Sequence, residues 1–175
     1  MECFGEILDI VRRKTPVVHS ITNYVTVNDC ANMILAAGGS PIMADDAAEV
    51  EQIVALSSAL VINIGTLNAR TVASMLAAGK RANALSIPVV LDPVGAGASD
   101  LRNETLRTLL REVRFAVIKG NSSEIRFLAG EKATARGRGF HYRRNSVRLR
   151  APRRGRRATA RSTGTPPSCR PSRPP

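Results

Sequence analysis

Two hydrophobic rhythms alternate along residues 2–130 of this chain. Short β-branched runs read as strands, and longer stretches with apolar residues three and four apart read as helices. The first helix is predicted over 2–14, with Phe4, Ile7, Leu8 and Val11 on one face and Pro16 ending it. A strand over 17–21 follows, then an exit loop at Thr22-Asn23-Tyr24, then a helix over 29–37 stopped by Gly38-Gly39. A short strand at 40–43 leaves into Ala44-Asp45-Asp46. Asp46 and Glu49 have capping-box spacing, and Val50, Ile53 and Val54 form the buried stripe behind them. Strand 60–64 runs into Gly65-Thr66, and Asn68 caps a helix whose apolar face is Val72, Met75, Leu76 and Gly79. Pro88 restarts an extended run that ends at Asp92. After Ser99, the residues Leu101, Leu106, Leu109, Leu110 and Val113 predict another buried helical stripe. Phe115–Ile118 reads as a fifth strand with Lys119-Gly120 as its exit. Asn121 then opens a helix through Leu128, closed by Gly130.

Strands joined by crossover helices dictate an α/β fold: a mainly parallel sheet with right-handed connections, covered by helices on both faces. Such sheets bind ligands beyond the carboxyl ends of their strands. Those ends are Asn23, Met43 with Asp45, Gly65-Thr66, Asp92 with its glycine turn, and Lys119 through Glu124. Small, polar and charged residues collect there while the strand bodies are apolar, so one rim of the sheet is the candidate site.

The chemistry of that rim centres on Asp92-Pro93-Val94-Gly95-Ala96-Gly97. Gly95 and Gly97 can adopt positive φ and let a ligand approach the backbone, and the turn is expected to present bare amides to a phosphate. Asp92 and Glu124 are the acids best placed to meet a hydrated magnesium ion, although Asn121 and Glu124 also have the spacing of a capping box. Lys119 suits a phosphate, or is a snorkelling surface lysine. Met43 suits a sulfur-containing or aromatic ring, or is core. Asn23 is a substrate contact or only a turn residue. His19 reads as a packed histidine, and Cys30 as buried. A dinucleotide-binding reading is disfavoured, because Asp100 stands where a third glycine of Gly-x-Gly-x-x-Gly would be.

Charge sharpens the domain picture. The net charge of +12 over 175 residues is confined to the tail. Residues 1–130 hold twelve Lys and Arg against thirteen Asp and Glu, whereas 131–175 hold fourteen against one, Glu131. Three cysteines, Cys3, Cys30 and Cys169, argue against a disulfide framework or structural zinc. No apolar run nears the roughly 20 residues that span a bilayer, and the acidic N-terminus lacks a signal-peptide core, so a cytoplasmic protein is expected.

The text VHSITNYVTVNDCAN at 18–32, GGSPIMA at 38–44, LVINIGTL at 60–67, PVVLDPVGAGAS at 88–99 and IKGNSSEI at 118–125 resembles the hydroxyethylthiazole kinase family of the ribokinase-like superfamily. Order and spacing agree over residues 4–130. The resemblance implies a partial ribokinase-like fold and ATP-dependent phosphorylation of 4-methyl-5-(2-hydroxyethyl)thiazole in thiamine salvage, with magnesium. Carried over, it makes Met43, Asn23 and Gly65 the thiazole-binding residues. Lys119, Asp92, Gly95 and Gly97 become the ATP-binding residues, and Glu124 with Asp92 the metal-binding acids. It also implies a homotrimer with the thiazole held between subunits.

The resemblance divides the chain into a partial kinase domain at 1–132 and an arginine- and proline-rich tail at 133–175. Six of the ten prolines lie beyond residue 150 and apolar periodicity vanishes there, so the tail is expected to be disordered. The abrupt change of text suggests an out-of-frame reading. The family's catalytic residue is expected in the second half, outside this chain, so the chain alone is expected to be inactive. The tail offers a different activity, non-specific nucleic-acid binding through its arginines.

Overall fold

The computed structural model describes residues 4–130 in full and the backbone of 144–147. Helix α1 (Phe4–Lys14) leads into β1 (Val17–Ile21), α2 (Val27–Ala37) and β2 (Ser40–Ile42). Then come α3 (Val50–Ala55), β3 (Ala59–Asn63), α4 (Ala69–Ala84), β4 (Val89–Asp92), α5 (Asp100–Glu112), β5 (Val117–Asn121) and α6 (Ser122–Leu128). A last strand, β6, spans Arg144–Val147. The sheet order is β2-β1-β3-β4-β5-β6, parallel throughout except for β6.

This order contains a switch point. The chain leaves β1 toward β2 on one side and returns to β3 on the other, so the exits of β1 and β3 open a crevice between them. Right-handed crossovers put α2 on the face opposite α4 and α5. The two faces are packed unequally. Ile21, Leu60, Ile62, Val89, Leu91 and Ile118 all point to the α3–α5 face, where they meet Val54, Met75, Ala78, Leu106 and Leu109. The residues one step on, Val61, Val90 and Val117, are only half-buried, and neither α1 nor α2 buries a single residue completely.

Local chemistry explains most element boundaries. Asn68 caps α4 by accepting from the Thr71 amide, with Thr71 returning the bond. Ser99 accepts from the Arg102 amide at the start of α5. Several expectations need correction. Asp46 and Glu49 form no capping box: the Asp46 carboxylate accepts from the Ala48 amide at 2.9 Å, an Asx turn two residues on, and α3 begins only at Val50. Leu101 and Leu110 are 55% and 40% exposed. At about 100° per residue they lie to either side of the stripe formed by Leu106, Leu109 and Val113. Phe4 and Ile7, placed on the apolar face of α1, are 74% and 44% exposed.

The fifth strand is also shifted. It starts at Val117 rather than Phe115 and continues to Asn121, because β6 pairs antiparallel along its outer edge, Lys119 opposite Ser146. An edge strand offers a row of unpaired backbone groups, and Arg144–Val147 takes it up, in a tail expected to be disordered. The other residues of that tail lie outside the described residues.

Candidate functional site

Register builds the centre of the rim. Asn63 pairs with Asp92 across β3 and β4, and Leu91 with Ile118 across β4 and β5, so Lys119 stands beside Asp92. Each of these three follows a core residue by one position, which turns its side chain onto the thinly covered face of the sheet. There Asn63 Nδ2 donates to Asp92 Oδ2 at 3.2 Å, and Lys119 Nζ donates to the same oxygen at 3.0 Å. The lysine is about half exposed, 49% against 20% for the aspartate, so the pair is open to a ligand and is worth little as a stabilising bridge.

Asn63 extends the row to the crevice. Its Oδ1 accepts the Gly65 amide at 2.8 Å and lies 3.5 Å from Asn23 Nδ2. Asn23 in turn accepts the Val25 and Thr26 amides and the Thr26 hydroxyl, each at 3.1 Å, which fixes the turn into α2. Gly65 sits against both asparagines: a Cβ there would stand 2.8 Å from Asn63 Oδ1 and 2.9 Å from Asn23 Cβ. Only glycine fits that approach.

Beyond Asn23 lies a strap across three strand exits. The Tyr24 hydroxyl donates to Asp45 Oδ2, and Arg70 Nη2 reaches both groups, at 3.2 and 3.3 Å. Hydrogen bonding to Asp45 raises the Tyr24 phenol above its ordinary range. Met43, half-buried, lies on the short link between β2 and this strap. That link is anchored from below by His19, fully buried in β1, whose Nε2 donates to the Ala44 carbonyl at 2.7 Å. Burial holds the His19 imidazole below its usual pKa, against the opposing pull of the Ala44 bond and Glu49. His19 is therefore a neutral packed residue, as its place in a strand implied. Cys30 is half-buried rather than buried.

The glycine turn differs from expectation. Gly95 and Gly97 do adopt φ of +72° and +86°. Their amides are not bare. Gly95 N–H donates to Glu124 Oε1 at 3.1 Å and Gly97 N–H to Asn103 Oδ1 at 2.9 Å. Val94, Ala96 and Ala98 donate to the carbonyls of Asp92, Pro93 and Gly95. The glycines thus shape the turn, and every amide from 94 to 98 is spent inside the protein. Glu124, 8% exposed, also accepts the Asn121 amide through Oε2 at 2.8 Å while Asn121 Oδ1 accepts the Glu124 amide at 3.0 Å. The capping box is present, and the same carboxylate ties α6 to the turn after β4.

A sequence model of the hydroxyethylthiazole kinase family matches residues 8–150, most of the chain. The chain belongs to the hydroxyethylthiazole kinase family. It is 78% identical over 137 residues to the hydroxyethylthiazole kinase of Desulfovibrio desulfuricans, an alignment covering 78% of this chain and 48% of that one. To the enzyme of Clostridium beijerinckii it is 62% identical over 133 residues, covering 76% and 48%. The solved structure of the Pyrococcus horikoshii hydroxyethylthiazole kinase superposes with a TM-score of 0.67 at 48% identity, covering 71% of this chain and 49% of that one. The chain therefore spans about half the length of the curated relatives it matches. The family match also runs past residue 132, into residues outside those described.

The rim joins most of the candidate residues. Asn23, Gly65, Asp92 and Lys119 are linked through Asn63, and Gly95 to Glu124 directly. Met43 is brought to the same edge by β2 and its His19 anchor, and Gly97 by Asn103. Asn63, Asn103 and Arg102 are the residues that sequence reading missed. Among the described residues no group of three or more His, Cys, Asp or Glu side chains gathers to hold a metal ion. Asp92 and Glu124 are two carboxylates, each already held by protein donors, so an ion that met them would keep most of its waters. No helix among the described residues is long and apolar enough to cross a membrane.

Proposed function

We propose that this chain carries the alcohol-facing half, and part of the phosphate-facing half, of a site that moves the γ-phosphoryl of ATP onto 4-methyl-5-(2-hydroxyethyl)thiazole. What supports this reading is one continuous row, Asn23–Asn63–Asp92–Lys119, which spans the switch point from the Met43 side to the glycine turn. Met43 offers the thiazole ring a polarizable face, and Asn23 and Gly65 bound the crevice that receives its hydroxyethyl arm. Lys119 trades part of its contact with Asp92 for the phosphates. Asp92 and Glu124 would be the acids to hold a hydrated magnesium ion, which would supply charge neutralisation across the phosphates. In the reaction a new bond forms between the alcohol oxygen and the γ-phosphorus, the β–γ bridge breaks, ADP leaves and the hydroxyl proton is lost. Positioning and charge are most of what this transfer asks of a protein.

His19, sealed in the sheet, is not the base that takes the proton, and the resemblance implies that this group comes from the part of the family's fold beyond the matched residues. The reading is therefore of an incomplete site in a cytoplasmic chain, with no turnover by the 175 residues alone; the resemblance implies a trimer. Two measurements test it. Calorimetric titration with the thiazole alcohol should show saturable binding, weakened roughly tenfold by Met43→Ala. A coupled assay for ADP should show no turnover. Binding unchanged by Met43→Ala would sink the thiazole assignment, and ordinary turnover would sink the incomplete site. The fourteen-to-one excess of basic residues in 131–175 favours a second property, non-specific binding of nucleic acid.

A further inference from the structure

Arg102 stands where a leucine would be expected. It leads the buried stripe of α5, four, seven and eleven residues ahead of Leu106, Leu109 and Val113. A guanidinium there is costly unless its donors are met. It forms no ion pair with a described carboxylate. Instead Nη1 donates to the Ile64 carbonyl and, at 2.8 Å, to the Val94 carbonyl, while Nη2 donates to the Gly65 carbonyl at 2.8 Å. Ile64 and Gly65 are the exit of β3, and Val94 belongs to the turn after β4. The stem lies under Gly95, where an added Cβ would come within 3.3 Å of Arg102 Cδ.

We propose that Arg102 is a positioning residue that clamps the alcohol-side loop to the phosphate-side loop and fixes the gap between them. The functional naming of those two loops rests on the kinase reading above; the clamp itself does not. The planar fork reaches three carbonyls at once, something a lysine ammonium on a flexible stem does poorly. Each carbonyl held by Arg102 fixes its peptide plane, and with it the neighbouring amides: Gly65 N–H on Asn63 and Gly95 N–H on Glu124. Acceptor and donor loops thereby move as one body rather than two.

Hydrogen exchange on the full 175-residue chain tests the clamp, comparing wild type with Arg102→Met and Arg102→Lys. The amides of Gly65 on one loop and of Gly95 on the other should exchange about tenfold faster or more in Arg102→Met, as loss of charge-assisted bonds predicts. Core-strand amides such as Ile62 and Leu91 should be unchanged, and Arg102→Lys should fall between. Equal acceleration of core and loop amides, acceleration of one loop only, or no change would each overturn the proposal. Adding the thiazole alcohol supplies a separate arm. In wild type it should slow exchange in both loops, and in Arg102→Met only at Gly65. Wild type showing no ligand response, with the loops still uncoupled in Arg102→Met, would count against the kinase reading while leaving the clamp standing.

Discussion

Replacing Glu124 with glutamine probes the point where α6 meets the glycine turn. The carboxylate is 8% exposed and its two oxygens accept two different amides, Gly95 at 3.1 Å and Asn121 at 2.8 Å. Glutamine has the same length but one acceptor and one donor. Whichever way the amide turns, its NH₂ opposes one backbone N–H, and the surviving bond loses its charge. A hydrogen bond to a charged group is worth about 1.5–3 kcal/mol, and a buried donor left unmet costs about 1–3 kcal/mol. Glu124→Gln should therefore destabilise the fold by about 2–3 kcal/mol, a large share of a domain's ~5–15 kcal/mol. Removing the other half of the box, Asn121→Ala, loses a neutral cap and should cost only about 1 kcal/mol. Urea denaturation followed by circular dichroism measures both. A Glu124→Gln variant within ~0.5 kcal/mol of wild type, or less affected than Asn121→Ala, would refute the view that this carboxylate joins the two loops.

Three further outcomes follow from the geometry. Gly65→Ala should separate Asn23 from Asn63, weakening thiazole binding more than it lowers the melting temperature; unchanged affinity would mean that the crevice does not hold the alcohol. Stability should fall with acid below the ordinary imidazole pKa of 6.5, because His19 is held neutral by burial while the unfolded chain takes up a proton. Denaturation midpoints between neutral and mildly acidic pH should show that slope, and His19→Gln should flatten it. Binding of random-sequence RNA, followed by fluorescence anisotropy, should fall steeply with salt and vanish on deletion of 133–175; a salt-resistant, sequence-selective complex would contradict the electrostatic reading.

The fold was legible because its information is local. β-Branched runs, the capping residues Asn68, Ser99 and Asn121, and the glycine stops sit next to the elements they define. The rim was legible as a set of strand exits, and Asp92, Lys119 and Glu124 were named without knowing which touched which. The reach of long side chains was not legible. Arg102 bonds carbonyls 38, 37 and 8 residues away in the chain, and no local pattern signals that. The one visible hint was a lone arginine on an apolar stripe. Asn63 was read as strand body because its part depends on register with Asp92, which only pairing fixes. The bare-amide expectation failed for the same reason: Glu124 and Asn103, distant acceptors, take up the turn's donors. At α3, a local competition decided, with Asp46 satisfying the nearer amide of Ala48.

Under the proposed function, one edge of the sheet gathers the alcohol and the metal-bound triphosphate. Amide chemical-shift mapping on the isotopically labelled 175-residue chain tests it directly, with the thiazole alcohol and Mg-ATP added in turn. Saturable shifts are expected at Asn23, Met43 and Gly65 for the alcohol and at Asp92, Gly95, Lys119 and Glu124 for the nucleotide. Shifts scattered over the amino ends of the strands or the outer faces of the helices, or none at saturating ligand, would contradict it.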